Sequence, residues 1–176
     1  MIDTMSAKMA AGIKNTVPEH PASHAVLKFA IAAVLNVSFI ISLTLGISVF
    51  TGQTSKAVLI LISFALLRQV SGGVHLKSGT KCVLFTVTLF TLLSYADLPG
   101  IYIQSMNLIS LSLVLWLAPI GIDRQTRIPK RYWPLLKVIA AALILSNFLI
   151  GSSVIAASFL AQSVSLLIAR KGVNSA

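Results

Sequence analysis

Six apolar runs, joined by short polar connections, take up most of this 176-residue chain: Leu27 to Phe50, Ala57 to Val70, Cys82 to Ala96, Ile101 to Ile122, Trp133 to Ile150 and Ser152 to Ala169. A helix crossing the hydrocarbon of a bilayer needs about 20 apolar residues, so six crossings account for about 120 residues. Only helices satisfy their own backbone amides within one segment, and no run shows the alternation of a membrane β-barrel. The sequence therefore predicts an all-α, polytopic integral membrane protein with six transmembrane helices. Two runs are short. The second must borrow from Gly52 to Lys56 and the third from residues before Cys82, or the bilayer must thin around them.

Charge supplies the orientation. Hydrophobic residues make up 56% of the chain and charged residues 10%, against about 25% in soluble domains, and Lys plus Arg outnumber Asp plus Glu by 14 to 4. Every basic residue except Lys56 falls on one side of the six runs: Lys8, Lys14 and Lys28; Arg68, Lys77 and Lys81; Arg124, Arg127, Lys130, Arg131 and Lys137; Arg170 and Lys171. Positive residues stay inside, which puts both termini in the cytoplasm. The bases punctuate apolar runs and form no patch with interleaved aromatics, so no nucleic-acid partner is expected. Tyr95 and Tyr102 bracket the outer connection, and Trp116, Tyr132 and Trp133 lie toward the inner interface. Pro134 suits the first turn of the fifth helix, where a missing N–H costs little.

The chain divides into a cytoplasmic N-terminal segment (1–26), a membrane domain (27–170) and a cytoplasmic tail (171–176). The first 26 residues lack the order of a cleaved secretory signal. Met5, Met9, Ile13 and Val17 recur at helical spacing with Lys8 and Lys14 between them, the pattern of a short helix lying on the inner leaflet; a mobile tail is the alternative.

Chemistry concentrates between Arg68 and Cys82, in the stretch RQVSGGVHLKSGTKC. Cys82 is the chain's one thiol, which excludes an internal disulfide and a Cys-only zinc site. It opens the third apolar run, so a helix N-terminus together with Arg68, Lys77 and Lys81 would favour its thiolate. His75, seven residues earlier across a glycine-bearing turn, can fold back onto the thiol as a proton shuttle. A packing cysteine and a solvated histidine are the alternative. Gly72 and Gly73 suit a tight turn, or backbone donation to an oxyanion. His20 and His24 are split by Pro21, and no metal site or cofactor is expected.

Arg68, Gly72, Gly73, His75 and Cys82, in the order R-x3-G-G-x-H-x6-C between the second and third of six spans, resemble the signature of the accessory gene regulator B family, membrane cysteine endopeptidases of Gram-positive quorum sensing. The basic loop from Pro119 to Pro134 and the topology extend the resemblance over most of residues 25 to 170. It implies that His75 and Cys82 are catalytic, with Arg68, Gly72 and Gly73 in support. It also implies a short precursor peptide as substrate, with an acidic C-terminal tail drawn to Lys77, Lys81, Arg124, Arg127, Lys130 and Arg131. The active site would face the cytoplasm of a multi-pass cell-membrane protein. Expected partners are that peptide, the lipid bilayer and a second copy of the chain in a homodimer. Asp123, at the inner end of the fourth span, could orient His75, although pairing with Arg124 and Arg127 is the stronger reading. The first span holds no acid; Asn36, Ser38 and Ser42 are its polar candidates. A non-enzymatic membrane scaffold or a peptide-export component is the competing reading, and the lack of mid-span charge argues against a pump.

Overall fold

A computed structural model describes residues 1–73, 78–122 and 128–174, with side chains described through 170. Seven α-helices order the described chain: α1 (Ile2–Thr16), α2 (His24–Thr51), α3 (Thr54–Ser71), α4 (Gly79–Leu93), α5 (Gly100–Leu117), α6 (Trp133–Ile150) and α7 (Ser153–Asn174), with one 3₁₀ turn at Lys130–Tyr132 before α6. The expected all-α class is what the molecule shows. Local chemistry sets the boundaries. The Ser23 and Ser78 hydroxyls accept from the amides of Val26 and Lys81 at the starts of α2 and α4, and Gly52 and Gly151 close α2 and α6 in the left-handed conformation. Pro134 lies in the first turn of α6.

Five helices, α2, α3, α5, α6 and α7, are long and apolar enough to cross a membrane, whereas α4 is a shorter apolar helix of 15 residues. At 1.5 Å per residue α4 reaches about 22 Å. Both short runs lengthen at their N-terminal ends, α3 by taking in Thr54 to Lys56 and α4 by taking in Gly79 to Lys81. The fourth run ends earlier than its apolar composition suggests: α5 stops at Leu117, and Ala118 is extended (ψ 150°) ahead of Pro119. Proline's ring crowds the residue before it out of the helical region, so apolar character continues to Ile122 while the helix does not.

Two packing groups meet along α3 and α4. In one, α7 lies against α5 and α3, and Leu67, Val114, Ala140, Ile144, Phe159 and Leu166 form an apolar core. In the other, α2 lies against α1 and α4 around Ile2, Val83 and Val87. Ile60, Phe90 and Val154 join them, and the Phe64 and Phe90 rings meet edge to face at 4.9 Å. Of the apolar window in α7, 56% is buried inside the bundle, against 6% in α2, so α7 is the central helix and α2 a peripheral one. Small and polar side chains let α7 approach closely: Ser158 meets Ser63 at 2.8 Å, and Ser163 donates to the Ser110 carbonyl at 3.4 Å. Asn147 Nδ2 donates to Asn107 Oδ1 (3.0 Å) and to the Ser152 carbonyl (3.1 Å), which fastens the turn between α6 and α7.

Candidate active site

The site is built on the end of α3 and the start of α4. Arg68 sits in the last turn of α3, and its carbonyl accepts from the Gly72 amide at 2.9 Å, closing the helix. Gly72 (φ +79°) and Gly73 (φ +136°) then reverse the chain in conformations that side chains rarely adopt. A Cβ on Gly72 would overlap the Ile120 carbonyl, and one on Gly73 would lie 3.0 Å from Arg68 Nη1. Two backbone bonds explain the closeness: Ile120 N–H donates to the Ser71 carbonyl (3.1 Å), and Gly73 N–H donates to the Ile120 carbonyl (3.2 Å). The segment after α3 is thereby zipped to the segment after α5. Since the Gly72 and Gly73 amides already have carbonyl partners, the geometry favours turning over oxyanion donation for this pair.

Cys82 is the fourth residue of α4, half-buried, and its amide donates to the Ser78 carbonyl at 3.0 Å. The thiol therefore belongs to the first turn, where the dipole of the helix favours negative charge. Arg68 interacts electrostatically with Cys82. Ile2 of α1 presses on the first residue of α4, because a Cβ on Gly79 would meet its side chain at 3.2 Å. Lys81 is exposed, as are Lys130, which lies 5.8 Å over the Trp133 ring, and Arg131, 4.7 Å over that of Tyr132. Of the polar candidates in the first span, Ser38 and Ser42 are exposed, while Asn36 turns inward with its Oδ1 buried and unbonded. His75, Lys77, Asp123, Arg124 and Arg127 lie outside the described residues. Among the described residues, no three of His, Cys, Asp or Glu come together.

Sequence reasoning passed over Gln162. This fully buried residue of α7 donates from Nε2 to the Gly72 carbonyl (2.7 Å) and the Ser71 hydroxyl (3.0 Å), and its Oε1 accepts from Arg68 Nη1 at 3.4 Å. Its signal was present: it is the one amide side chain between Ser153 and Ala169, and an amide inside a span needs a partner there.

The arrangement offers a thiol in a first helical turn and, in electrostatic reach of it, a guanidinium that donates to Gln162. That is a constellation for nucleophilic acyl transfer. A protein of Halalkalibacterium halodurans that carries the name AgrB-like is 27% identical over 116 residues, 66% of this chain, and the matched stretch spans 59% of that relative's length. No solved structure matches. The model of the family described as Accessory gene regulator B matches residues 6–169, which takes in every helix from α2 to α6 and the whole Arg68-to-Cys82 segment, and the chain belongs to that family.

Proposed function

We propose that this membrane protein is a cysteine endopeptidase that cuts a short precursor peptide at its cytoplasmic face and cyclises the part it retains, yielding a quorum-sensing signal. The observation that carries the reading is the position of Cys82, in the first turn of α4 and in electrostatic reach of Arg68. Family membership supports peptide processing as the task. In the proposed topology α4 counts as a sixth, short span, and the basic residues hold both termini inside.

The Cys82 sulfur attacks the scissile carbonyl carbon, and the tetrahedral adduct collapses as His75 delivers a proton to the departing amine. The C-terminal fragment leaves with a new amino terminus, and the N-terminal fragment remains on Cys82 as a thioester. A thiol within that fragment then attacks the same carbonyl, giving up its proton and releasing Cys82, which yields a thiolactone. Lys81, Lys130 and Arg131, with the other inner bases, attract the acidic tail, each worth on the order of 1 kcal/mol near anionic partners and less as salt rises. The test is processing of a precursor co-expressed with Cys82→Ala or His75→Ala. Each variant should insert normally and leave the precursor uncut; cutting that persists in both removes the assignment.

A further inference from the structure

We infer that Gln162 is a positioning residue for Cys82, acting by holding the Arg68 guanidinium and the Ser71–Gly73 turn in one fixed arrangement. This deepens the peptidase reading of the same site and rests on it for its functional meaning.

Hydrogen-bonding capacity fixes the orientation of the Gln162 amide. Arginine has donors only, so the side of the Gln162 amide facing Arg68 must present oxygen. That choice aims Nε2 at the Gly72 carbonyl (2.7 Å) and the Ser71 Oγ (3.0 Å), which occupies both of its protons. Ser165 Oγ lies 2.6 Å from the Gln162 carbonyl and 3.2 Å from Oε1, steadying the amide from the next turn of α7. One side chain thus reads the identity of Arg68 and the path of the backbone together. The other buried polar contacts of α7 differ: Ser158 meets Ser63 and Ser163 meets Ser110, each joining one helix to another at a single point. Gln162 instead places its amide on three residues of one short stretch, Arg68, Ser71 and Gly72, of which Arg68 interacts electrostatically with the thiol. Space is tight as well, since a Cβ on Gly73 would come within 3.3 Å of Arg68, Ser165 and Gln162 side-chain atoms.

Helix glue and positioning separate in a measurement of charge at the thiol. Cys82 is the sole cysteine, so alkylation reports on it alone. The ratio of its rates with anionic iodoacetate and neutral iodoacetamide follows the local field and cancels most effects of access. With the full chain in a neutral detergent micelle, Gln162→Glu places a carboxylate against Arg68, and Gln162→Ala removes the oxygen that accepts from Arg68 Nη1. Either should lower the ratio about threefold, within the range of a single charge pair near a protein surface. Ser158→Ala, which removes a buried contact between the same two helices, should leave the ratio at the wild-type value. In an Arg68→Gln background Gln162→Ala should add nothing, because it acts on the thiol only through the guanidinium it holds. A wild-type ratio in both Gln162 variants, or an equal fall in Ser158→Ala, overturns the inference. The peptidase reading fails separately, through precursor cutting that survives Cys82→Ala, whatever the ratios are.

Discussion

Gly73 donates its backbone N–H to the carbonyl of Ile120 at 3.2 Å, so the segment that follows α3 and the segment that follows α5 are held as one piece of backbone. The bond has a mechanical consequence. Cys82 is on α4 and the basic 128–131 segment precedes α6, and the ends of the described chain after α3 and α5, upstream of each, are joined at Ser71 to Gly73 and Ile120.

Gly72→Ala should therefore be among the most damaging small substitutions in the chain. The new methyl would fall on the Ile120 carbonyl, at a φ of +79° and ψ of −148° that cost an alanine about 1–3 kcal/mol before any clash. Gly46→Ala in α2 is the counterpart, since nothing lies within 4 Å of its Cβ position and the residue is helical, so it should be neutral or stabilising by about 0.5–1 kcal/mol. Thermal unfolding in detergent, followed by helical circular dichroism, should rank Gly72→Ala well below wild type and Gly46→Ala at or above it. Equal midpoints for the two would mean that the bridge does not constrain the fold.

What the sequence revealed follows the range of the interactions involved. The helices were legible because about 20 apolar residues in a row have few other fates, and the turn at Gly72 and Gly73 was legible because glycine pairs mark reversals. The end of α5 was misplaced by five residues, since hydropathy rates Ala118 to Ile122 as apolar and is blind to the backbone effect of Pro119. The outward stripe of α1 could be read from its spacing, but its anchors Ile2, Ser6 and Ala10 could not, because only packing against α2 and α4 makes them inward. The Gly72–Ile120 bridge and the Gln162 amide join positions 48 and 90 or more residues apart. Periodicity carries no information on such pairs.

Sidedness is open to a direct test in intact cells. A membrane-impermeant thiol reagent should miss Cys82 and a cysteine placed at Gln125, and should label one placed at Gly100, the first residue of α5. The asymmetry of the basic residues drives this expectation, with Lys56 alone on the outer side. Labelling at Gln125 and not at Gly100 would invert the topology and move the thiol to the outer face.

Helix α1 should seat one face in lipid. Met1, Met5, Met9, Ile13 and Val17 are all exposed along one line of the helix, beside the buried line of Ile2, Ser6 and Ala10, and Lys8 is exposed on a polar side. Such a helix gains by burying its apolar stripe in the interface while its lysine meets anionic headgroups. In a Cys82→Ala background, a nitroxide at Met9→Cys should collide more with oxygen, which concentrates in lipid, than with a water-soluble nickel chelate. A nitroxide at Thr4→Cys should show the reverse. The same preference at both positions would leave α1 without an interfacial face.

The identity of the product should depend on the substrate as much as on the enzyme. On the proposed route the N-terminal fragment sits on Cys82 as a thioester, and the outcome is a race between water and any thiol that the fragment itself carries. A tethered thiol has an effective molarity of up to about 10⁵–10⁸ M, and water is a weak competitor for a thioester in a shielded site. Cyclisation should win wherever the precursor holds a cysteine a few residues before the cut. Mass spectrometry should then show an adduct on Cys82 and a released product lighter by one water than the linear fragment. Replacing the precursor's cysteine by alanine should leave the adduct in place and either stall it or release linear peptide. If the unaltered precursor yields only linear fragment and no adduct forms on Cys82, the covalent route is wrong, and a hydrolase that activates water directly would have to take its place.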